Sequence, residues 1–403
     1  MTAAPTTCRP VLLVCSGGGH LTQLVALRPW WTARPRTWVT ADTPHTRSLL
    51  QGEQIVWGHF PTTRNAVNLI RNAFLALRML LPRSSRPEAI ISTGAGLAVP
   101  FFVFGRLLRI PTVYIEVFDR VDSRTLTGRL CRPFSSLFLV QLPEQQPLYR
   151  DALVVGSLLG TGPDATGDDA GAPDPGAWKA MAGDSAAPGS DLPVLLVTIG
   201  TNKHPFTRII GWVDRWLASG GQEHVQLVLQ HGATPVEPGP GRFSELGHDA
   251  LQAALSSAAI VVTHGGPATI MEARAAGHLP VAVPRRPDLS EQVDGHQLRF
   301  AVKLRADGLA VVCETESEFR AALDRAVTAL QAGGGRAAVW RALADGTAAA
   351  GAAELGSETF PDGTSRAAEL IDALLISASS SGLIATSAMS GGPAPSTEGH
   401  ADD

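Results

Sequence analysis

Short apolar runs alternate with amphipathic stretches along most of the 403-residue chain, and this alternation constrains the fold more than any other feature of the sequence. Apolar runs of roughly four to eight residues, bounded by glycine-rich turns, predict buried parallel strands that alternate with helices. The first block predicts helices near residues 21–28, 65–81 and 97–109, and strands in PVLLVCSG, TWVTA, AIISTG, TVYIEVF and SLFLVQ.

A second block repeats the pattern. It predicts strands in PVLLVTIGT, VQLVLQHG, AIVVTHGG, LPVAVPR and LAVVCET, with helices near residues 205–218, 248–257, 267–276, 291–304 and 316–330. The sequence therefore predicts the α/β class, with two Rossmann-like parallel-sheet domains that face each other across a cleft. Ligands of such sheets bind at the carboxyl ends of the strands.

Two stretches of biased composition set the limits of these domains. Residues 156–193 and 375–403 consist mostly of small and polar residues with few apolar side chains. Such segments cannot bury enough apolar surface to build a core. We therefore predict a first domain at 10–155, a disordered acidic linker at 156–193, a second domain at 194–374 and a disordered tail at 375–403.

Charge is distributed unevenly between the two halves. Residues 1–155 hold 17 arginines, no lysine and 8 acidic residues, a net charge of +9, whereas the remainder holds 16 basic and 29 acidic residues, a net charge of −13. A cationic surface of this kind suits nucleic acid, an anionic membrane or a polyphosphate ligand. No helix-turn-helix, RNP or zinc pattern accompanies the arginines, so we do not predict nucleic-acid binding.

The segment RNAVNLIRNAFLALRMLLPRSSR is the best candidate for contact with lipid. Arg64, Arg71 and Arg78 share one face of its predicted helix, whereas its apolar residues gather elsewhere: Val67, Ile70, Phe74, Leu77 and Leu81. Such a helix could lie on anionic lipid or pack on the sheet with a solvated arginine face, and the sequence leaves both open. No apolar run approaches the roughly 20 residues of a spanning helix. Signal-peptide patterns and cysteine frameworks are also missing, which predicts a cytoplasmic protein. Together with the arginine-rich segment, this predicts a peripheral protein on the inner face of the cell membrane.

The second block carries the more informative glycine motif, THGGPAT. A buried strand ends at Thr263, residues 264–266 form the turn, and Pro267 suits the first turn of the next helix. Such a helix start offers unpaired N–H groups and a partial positive charge to an anion, which predicts a diphosphate site. Glu272 follows one to two turns later, where its carboxylate could accept both hydroxyls of a ribose. A plain tight turn would explain the glycine pair alone.

The stretch Ala259–Gln297 resembles the donor-binding region of a glycosyltransferase family that includes the lipid II-forming N-acetylglucosaminyltransferase. It is similar to the catalytic subunit of the two-subunit transferase that adds the second N-acetylglucosamine in dolichol-linked oligosaccharide assembly, and to bacterial subunits for capsular polysaccharide and exopolysaccharide. The stretch VTIGTNKHPFTRII resembles the opening of the same subunits.

This resemblance implies a set of donor-binding residues. The UDP phosphates would be surrounded by His264, Gly265, Gly266 and Thr269, and the ribose would be bound by Glu272. The sugar or its neighbourhood would be contacted by Glu291, Gln292, His296 and Gln297. Gly200 and Thr201 would form a turn that faces the cleft, although a plain Asn-capped helix start explains that pattern as well.

The first block resembles the membrane-associated partner subunit of the same transferase, which recruits the catalytic subunit and receives the acceptor. The stretches that carry this resemblance are CSGGGHLTQL, ISTGAGLAVPF and YIEVFDRVDSRTLTGRLCRPFSSLFLVQLPEQQPLY. Two normally separate polypeptides would then be fused here, which raises the effective concentration of each half for the other.

Together the two resemblances imply the GT-B fold and an inverting, metal-independent glycosyltransferase. It would move a sugar from a UDP-sugar to a hydroxyl of a polyprenyl-diphosphate-linked saccharide. The expected partners are the UDP-sugar, the lipid-linked acceptor, an anionic membrane surface and, within the chain, the other half. We expect neither a cofactor nor a metal site, because the helix start and side chains around residues 264–269 would balance the charge of the leaving diphosphate.

Transfer to a hydroxyl needs a general base. His20 follows the glycines of the first block at a predicted helix start, and an imidazole ordinarily titrates near neutral pH. This motif has no P-loop lysine and no dinucleotide-binding spacing, so Gly18 and Gly19 are expected on the acceptor side of the cleft. Glu116 is the competing candidate, with Asp119 close behind it. Any of these side chains could instead only shape its turn.

Two other functions remain open from the sequence. A nucleotide-sugar epimerase of the same fold would need no acceptor, and a non-catalytic nucleotide-sugar-binding scaffold would need no base. The donor sugar is also open among N-acetylglucosamine, glucose, galactose and glucuronate.

Overall fold

The computed structural model describes residues 9–62, 65–158, 192–200, 204–345 and 363–389, with side chains in the last range to residue 378. Each half contains one sheet in which every strand pair is parallel. Nearly all of the predicted linker lies outside the described residues, and so do Arg64, Thr201 and Asn202.

The first sheet has seven strands in the order β3-β2-β1-β4-β5-β6-β7. They are β1 (Val11–Val14), β2 (Arg36–Thr40), β3 (Ile55–Trp57), β4 (Ile90–Ser92), β5 (Thr112–Ile115), β6 (Leu137–Val140) and β7 (Leu153–Val154). Its helices are α1 (Gly19–Val25), α2 (Arg28–Trp31), α3 (Pro44–Leu49), α4 (Ala66–Leu80), α5 (Ala98–Leu107) and α6 (Leu126–Cys131). The central strands are buried on both faces, which explains their unbroken apolar runs.

The second sheet has six strands in the order β10-β9-β8-β11-β12-β13. They are β8 (Val194–Thr198), β9 (Gln226–Gln230), β10 (Arg242–Phe243), β11 (Ala258–Thr263), β12 (Val281–Ala282) and β13 (Val311–Val312). Its helices are α7 (Thr207–Ala218), α8 (His248–Ser257), α9 (Pro267–Ala275), α10 (His296–Ala306), α11 (Glu316–Gln331) and α12 (Arg336–Ala344). A capping box between Thr315 and Glu318 fixes the start of α11.

The last helix, α13 (Gly363–Met389), packs against the first domain. Its residues Ala367, Ile371 and Leu375 recur every four positions and form one apolar stripe that is buried with Trp30 and Trp31. Asp372 accepts hydrogen bonds from Trp30 Nε1 at 2.8 Å and from Arg34 Nη2 at 2.6 Å.

This helix corrects two predicted boundaries. Residues 375–389 are helical rather than part of a disordered tail, and residues 363–374 pack on the first domain rather than on the second. The small residues of this segment suggested disorder, but alanine and serine are compatible with a helix once one stripe has a surface to pack on.

The two halves meet along their carboxyl-terminal strand edges. α1 contacts α9, α3 contacts α8, and the ring of Phe118 packs edge-on against Phe300 with centroids 5.7 Å apart. Helix α1 begins at the first glycine motif and α9 begins at the second. The fold therefore brings both motifs to one cleft. In the part of the chain that the structure describes, no helix has the length and apolar character needed to cross a bilayer.

Candidate active site

The ring of His264 lies against the backbone of two glycines, Gly200 after β8 and Gly266 before α9. A Cβ atom at either position would overlap the imidazole, so only glycine allows the ring to sit there. The neighbouring Gly265 is buried and turns the chain from β11 towards α9. The two glycine turns of the second half are thereby packed around a single side chain.

His264 is a neutral imidazole at physiological pH. Burial and, to a smaller extent, the charge of Arg285 lower its pKa to about 3, against the opposite effect of a hydrogen bond with the Thr198 backbone. Its Nδ1 atom is buried and has no hydrogen-bond partner among the described residues. A polar atom in this position suits a ligand that supplies the missing partner.

The start of α9 lies beside this ring. No side chain caps the helix at Gly266, and Pro267 occupies the first helical position. The N–H groups of the first turn, where half-buried Thr269 lies, are therefore available to an anion, as the sequence predicted for a diphosphate. His264, Gly265, Gly266 and Thr269 are brought together as expected.

Glu272 lies further along α9 and borders a cavity of about 320 Å³ between the halves. The first half lines this cavity with Thr22, Val25 and Arg28, and the second half with His248, Gln252 and Met271. Burial raises the pKa of Glu272 to about 7. No cation among the described residues lowers this pKa again. A ligand that donates hydrogen bonds to Glu272 would therefore stabilise its ionised carboxylate.

The loop that precedes α10 differs from the prediction at Glu291. Its carboxylate accepts hydrogen bonds from Arg208 Nε at 3.0 Å and Nη2 at 2.8 Å, and from the Arg286 backbone N–H at 2.8 Å. The side chain is only 5% exposed. Glu291 therefore supports the loop instead of facing a sugar. The resemblance missed this pairing because Arg208 lies 83 positions away in the sequence.

The other three predicted sugar contacts have different surroundings. Gln297 is buried and accepts a hydrogen bond from the Arg285 backbone at 3.2 Å, so it also supports the loop. Gln292 is half-buried, and its Oε1 accepts from the Val293 backbone at 3.1 Å. His296 lies at the first position of α10 and faces the first domain. The predicted helix at 291–304 thus begins five residues late, at His296.

Arg285 is a residue that sequence reasoning missed. Its guanidinium is almost fully buried and donates to three backbone carbonyls: Ile199 at 2.8 Å, His204 at 2.7 Å and Glu291 at 3.1 Å. Burial lowers its pKa to about 10, and the charge of Glu291 opposes this. Arg285 therefore ties the turn after β8 to the loop before α10. The signal in the sequence was an arginine three residues after a buried strand.

On the opposite side of the cleft, His20 is fixed by Thr93. The His20 Nδ1–H donates to the Thr93 carbonyl at 2.7 Å, and Thr93 Oγ1 donates back to the His20 carbonyl at 2.7 Å. With Nδ1 as the donor, Nε2 carries the lone pair. Burial lowers the pKa of His20, whereas the Thr93 carbonyl and Asp119 raise it. Gly18 and Gly19 border open space at the start of the same helix.

Glu116, the second candidate base, lies inside the first domain. Its carboxylate is fully buried and accepts hydrogen bonds from the Tyr149 hydroxyl, from Thr125 Oγ1 at 2.9 Å and from the Val117 backbone at 3.1 Å. Burial raises its pKa, and these hydrogen bonds oppose the rise. A carboxylate with no exposed surface cannot reach an acceptor hydroxyl, so the structure corrects the prediction that Glu116 faces the cleft.

Helix α4 packs on the first domain through one face and exposes apolar residues on the other. Its buried face carries Asn68, Asn72, Ala76 and Leu80, and the two asparagine amides donate to the backbone carbonyls of Pro61 at 3.0 Å and His59 at 2.9 Å. Several of its apolar residues point to solvent, and Phe74 is 69% exposed. Exposed apolar residues continue along α4 and onto α5 and α6, namely Val67, Leu69, Ile70, Leu81, Leu107, Leu126 and Leu130. Exposed arginines stand among them, at Arg71, Arg78, Arg83, Arg106, Arg109 and Arg129.

Two protein-family models match the chain, one in each half. Residues 194–338 match the model of the glycosyltransferase family 28 C-terminal domain, and residues 60–158 match the model of oligosaccharide biosynthesis protein Alg14 like.

The curated relatives of the chain include two fungal proteins of the same name. The UDP-N-acetylglucosamine transferase subunit ALG14 of Eremothecium gossypii is 31% identical over 122 residues, which cover 28% of this chain and 53% of that protein. Its Schizosaccharomyces pombe counterpart is 35% identical over 75 residues, which cover 17% of this chain and 36% of that protein. The chain thus spans about half of the length, or less, of these curated relatives.

Solved structures match both halves. Spinosyn forosaminyltransferase SpnP has a TM-score of 0.55 at 15% identity over 92% of this chain and 100% of that one. MurG of Acinetobacter baumannii has a TM-score of 0.50 at 15% identity over 90% and 99%. At such low identity these likenesses show the fold, which confirms the predicted GT-B architecture. The chain therefore joins, in one polypeptide, a region that matches the Alg14-like model and a region that matches the model of the glycosyltransferase family 28 C-terminal domain.

Proposed function

We propose that this chain is an inverting, metal-independent glycosyltransferase that moves a sugar from a UDP-sugar to a hydroxyl of a polyprenyl-diphosphate-linked saccharide. The observation that carries the proposal is the contact of α1 with α9. It sets the open nitrogen of His20 on one wall of the cleft and the uncapped helix start beside His264 on the other. The ALG14 relatives are UDP-N-acetylglucosamine transferase subunits, which makes UDP-N-acetylglucosamine the first donor to test.

The donor would be held by the second half. The diphosphate would accept hydrogen bonds from the first turn of α9. Because the neutral His264 ring donates its proton to the Thr198 backbone, its buried Nδ1 carries the lone pair and would accept a hydrogen bond from a hydroxyl of the UDP-sugar. Glu272 would accept the two ribose hydroxyls, which supply the hydrogen bonds that its carboxyl now lacks.

The acceptor would be activated by the first half. The acceptor oxygen attacks the anomeric carbon from the face opposite UDP, the bond from that carbon to the diphosphate oxygen breaks, and His20 Nε2 takes the hydroxyl proton. This single displacement inverts the anomeric carbon. The positive end of α9 stabilises the charge that develops on the leaving diphosphate.

The outward apolar face of α4 to α6 supports peripheral contact with an anionic membrane. Exposed apolar patches of this kind mark interaction surfaces, and arginines around them favour anionic lipid headgroups. Lipid contact here would keep the first half close to a polyprenyl-linked acceptor. Asn68, Asn72, Ala76 and Leu80 pack α4 on the first domain, so the surface proposed for lipid is the opposite face of the helix.

The decisive experiment incubates the protein with polyprenyl-diphosphate-linked saccharides and each of four donors, namely the UDP derivatives of N-acetylglucosamine, glucose, galactose and glucuronate, with mass spectrometry as the readout. We expect one hexose, hexosamine or hexuronate increment on the acceptor, insensitive to a metal chelator. No increment with any donor would overturn the transferase proposal. A changed UDP-sugar without acceptor would instead identify an epimerase, and UDP binding without turnover a scaffold.

A further inference from the structure

Three main contacts between the halves, among the described residues, follow the same order along both sheets. Helix α3, which follows β2, meets α8, which follows β10. Helix α1, which follows β1, meets α9, which follows β11, and the segments after β5 and β6 meet α10, which follows β12. Both halves are parallel sheets of the same kind, so a half-turn of one half would exchange the two outer contacts. The fold alone therefore does not decide which way round the halves dock.

The connections between the halves do not decide it either. Residues 159–191 and 346–362 join the second half to the first domain and to α13, and these stretches of 33 and 17 residues could span roughly 100 Å and 55 Å when extended. Such lengths permit either orientation. The side chains at the two outer contacts must then carry the difference. We call these contacts the α8 rim and the α10 rim, after the helix that the second half supplies.

At the α10 rim, the first half supplies carboxylates and the second half supplies cations. Arg299 Nε donates to Asp122 Oδ1 at 2.7 Å, and Lys303 Nζ donates to Glu144 Oε1 at 3.0 Å. The two cations lie four positions apart and thus on one face of α10. Beside them, the buried ring of Phe300 packs against the first half. The rim is therefore an apolar contact flanked by ion pairs.

The polarity of these two ion pairs is opposite to the net charges of the halves. The first half is cationic and the second is acidic, so attraction without specificity would place second-half carboxylates against first-half cations. One pair at the start of α10 does run that way, since Arg120 donates to Asp294 at 3.1 Å. The pairs of Arg299 and Lys303 run against the net charges and so need a separate explanation.

The α8 rim has the reverse polarity, with carboxylates from the second half. Glu245 accepts a hydrogen bond from the backbone N–H of His45 at 3.2 Å, and Asp249 accepts one from Ser48 Oγ at 3.4 Å. Arg28, a cation of the first half, lines the adjoining cavity. Each half thus presents opposite charges at the two rims.

We propose that the opposite polarity of the two rims fixes the orientation in which the halves dock. In the observed orientation, carboxylates meet cations or hydrogen-bond donors at both rims. After a half-turn, the first-half carboxylates of the α10 rim would face the second-half carboxylates of the α8 rim, and the cations of α10 would approach Arg28. Like charges would then oppose each other at both ends, which excludes the wrong orientation as well as favouring the observed one. The inference stands on this interface alone and does not depend on the proposed function.

The test is carbodiimide cross-linking of the full-length protein at low salt, which joins an amine to a carboxylate only where the two groups touch. Lys303 is the only lysine in the part of the chain that the structure describes. Tryptic peptides that link Lys303 to Glu144 therefore report docking of α10. The link from Lys303 to Asp307 within the same helix, 3.1 Å away, is the internal reference. The ratio of the two links, read by mass spectrometry, measures docking in the observed orientation.

Asp122→Arg should lower this ratio about threefold, because its new cation repels Arg299. Links from Lys303 to other first-half carboxylates should rise, since the wrong orientation is no longer excluded. Adding Arg299→Asp rebuilds the pair with its charges exchanged and should restore the ratio. Asp214→Arg is the matched control, because Asp214 is 46% exposed, against 54% for Asp122, and pairs with Arg242 inside the second half.

Three results would each overturn the proposal: an unchanged ratio in Asp122→Arg, no recovery in the exchanged pair, or an equal loss in Asp214→Arg. A loss of the Glu144 link without new links from Lys303 would show that the ion pairs only strengthen docking, and would overturn it too. If Asp122→Arg does not fold, as judged by circular dichroism, Arg299→Asp is the reciprocal variant and should give the same loss. Cross-linking needs no turnover, so a failed transferase assay would refute the proposed function and leave this test unaffected.

Discussion

His264 and Gly200 are in contact across the ends of β11 and β8, so closely that a Cβ atom on Gly200 would lie 2.9 Å from Cε1 of the imidazole. Gly200 also has a positive φ of 69°, where other residues are strained. The position of the His264 ring, and with it the orientation of its unpartnered Nδ1, thus depends on the absence of a side chain at Gly200.

Replacing Gly200 by alanine should therefore weaken UDP binding about tenfold, because the new methyl group displaces the His264 ring and strains the turn by about 1–2 kcal/mol. Isothermal titration calorimetry with UDP measures the loss. Gly333→Ala is the matched control, since Gly333 has a φ of 76° with no atom in reach of its Cβ and lies between α11 and α12. Both variants should lose similar thermal stability, and equal losses of UDP affinity would contradict the role of His264.

Glu272 predicts a distinctive pH dependence of stability. Its pKa is raised by burial from an ordinary 4.5 to about 7, so between these values the folded protein keeps a proton that the unfolded chain has released. The free energy of unfolding should fall by up to about 3 kcal/mol as pH rises through this window. Above it, Glu272 is ionised in both states and should add no further pH dependence. Urea unfolding of Glu272→Gln against the wild type should show this slope only in the wild type.

UDP should reverse this effect, because ribose hydroxyls donate to the ionised carboxylate. Binding should release a proton near pH 6 to 7, and UDP affinity should rise as pH increases towards 8. Calorimetry in buffers of different ionisation enthalpy counts the proton. A Glu272→Gln variant with the wild-type pH dependence of UDP affinity would rule out the ribose contact.

His20 and Glu116 can be separated by comparing chemistry with stability. His20→Ala should lower kcat by about 10²- to 10⁴-fold while UDP affinity is kept, because it removes only the proton acceptor. Glu116→Gln should instead lower the melting temperature, since an amide N–H₂ would face the Thr125 and Tyr149 hydroxyl donors in a closed site. Folded Glu116→Gln should keep kcat within a few-fold. The reverse pattern would restore Glu116 as the base.

The pH profile adds a second check on His20. The imidazole must be neutral to accept a proton, so kcat/KM should fall only as pH drops through the lowered pKa of His20, below the ordinary 6.5. A stopped assay with UDP-sugar and acceptor across pH 4.5 to 8 measures this limb. An acid limb above 6.5 would point to another base.

Charge on the outer face of α4 should disrupt membrane contact without unfolding the protein. Phe74 is 69% exposed, so Phe74→Asp removes an apolar anchor at little cost in stability. Flotation with vesicles that contain phosphatidylglycerol should show at least a several-fold loss of bound protein. Val302→Asp serves as control, because Val302 is 65% exposed on α10 of the second half. Equal binding by both variants would argue against this face.

The sheets and the glycine turns could be predicted from the sequence because their signals are local. Buried runs such as Val194–Thr198 and Ala258–Thr263 lie where their apolar character predicted, and the turn at 264–266 opens α9 as expected. The short edge strands at Ile55–Trp57 and Arg242–Phe243 were missed, since two or three residues carry no usable pattern.

The surroundings of individual side chains could not be predicted. Glu291 and Arg208 meet only because α7 packs beside the loop before α10, and Glu116 is enclosed because Tyr149 folds back over it. In a sequence, a polar residue near a glycine motif has the same appearance whether its side chain faces a ligand or a neighbouring loop. Tertiary contacts between distant residues decide which of the two holds.

Helix α13 connects the two halves a second time, through side-chain packing instead of through the linker. The chain leaves the first domain after Leu158, builds the second, and comes back to bury Ile371 and Leu375 beside Trp31. A protease that cuts between residues 158 and 192 would therefore leave two fragments that stay associated. The nicked protein would resemble a two-chain enzyme in which one chain supplies a helix to the domain of the other, in addition to the contacts across the cleft.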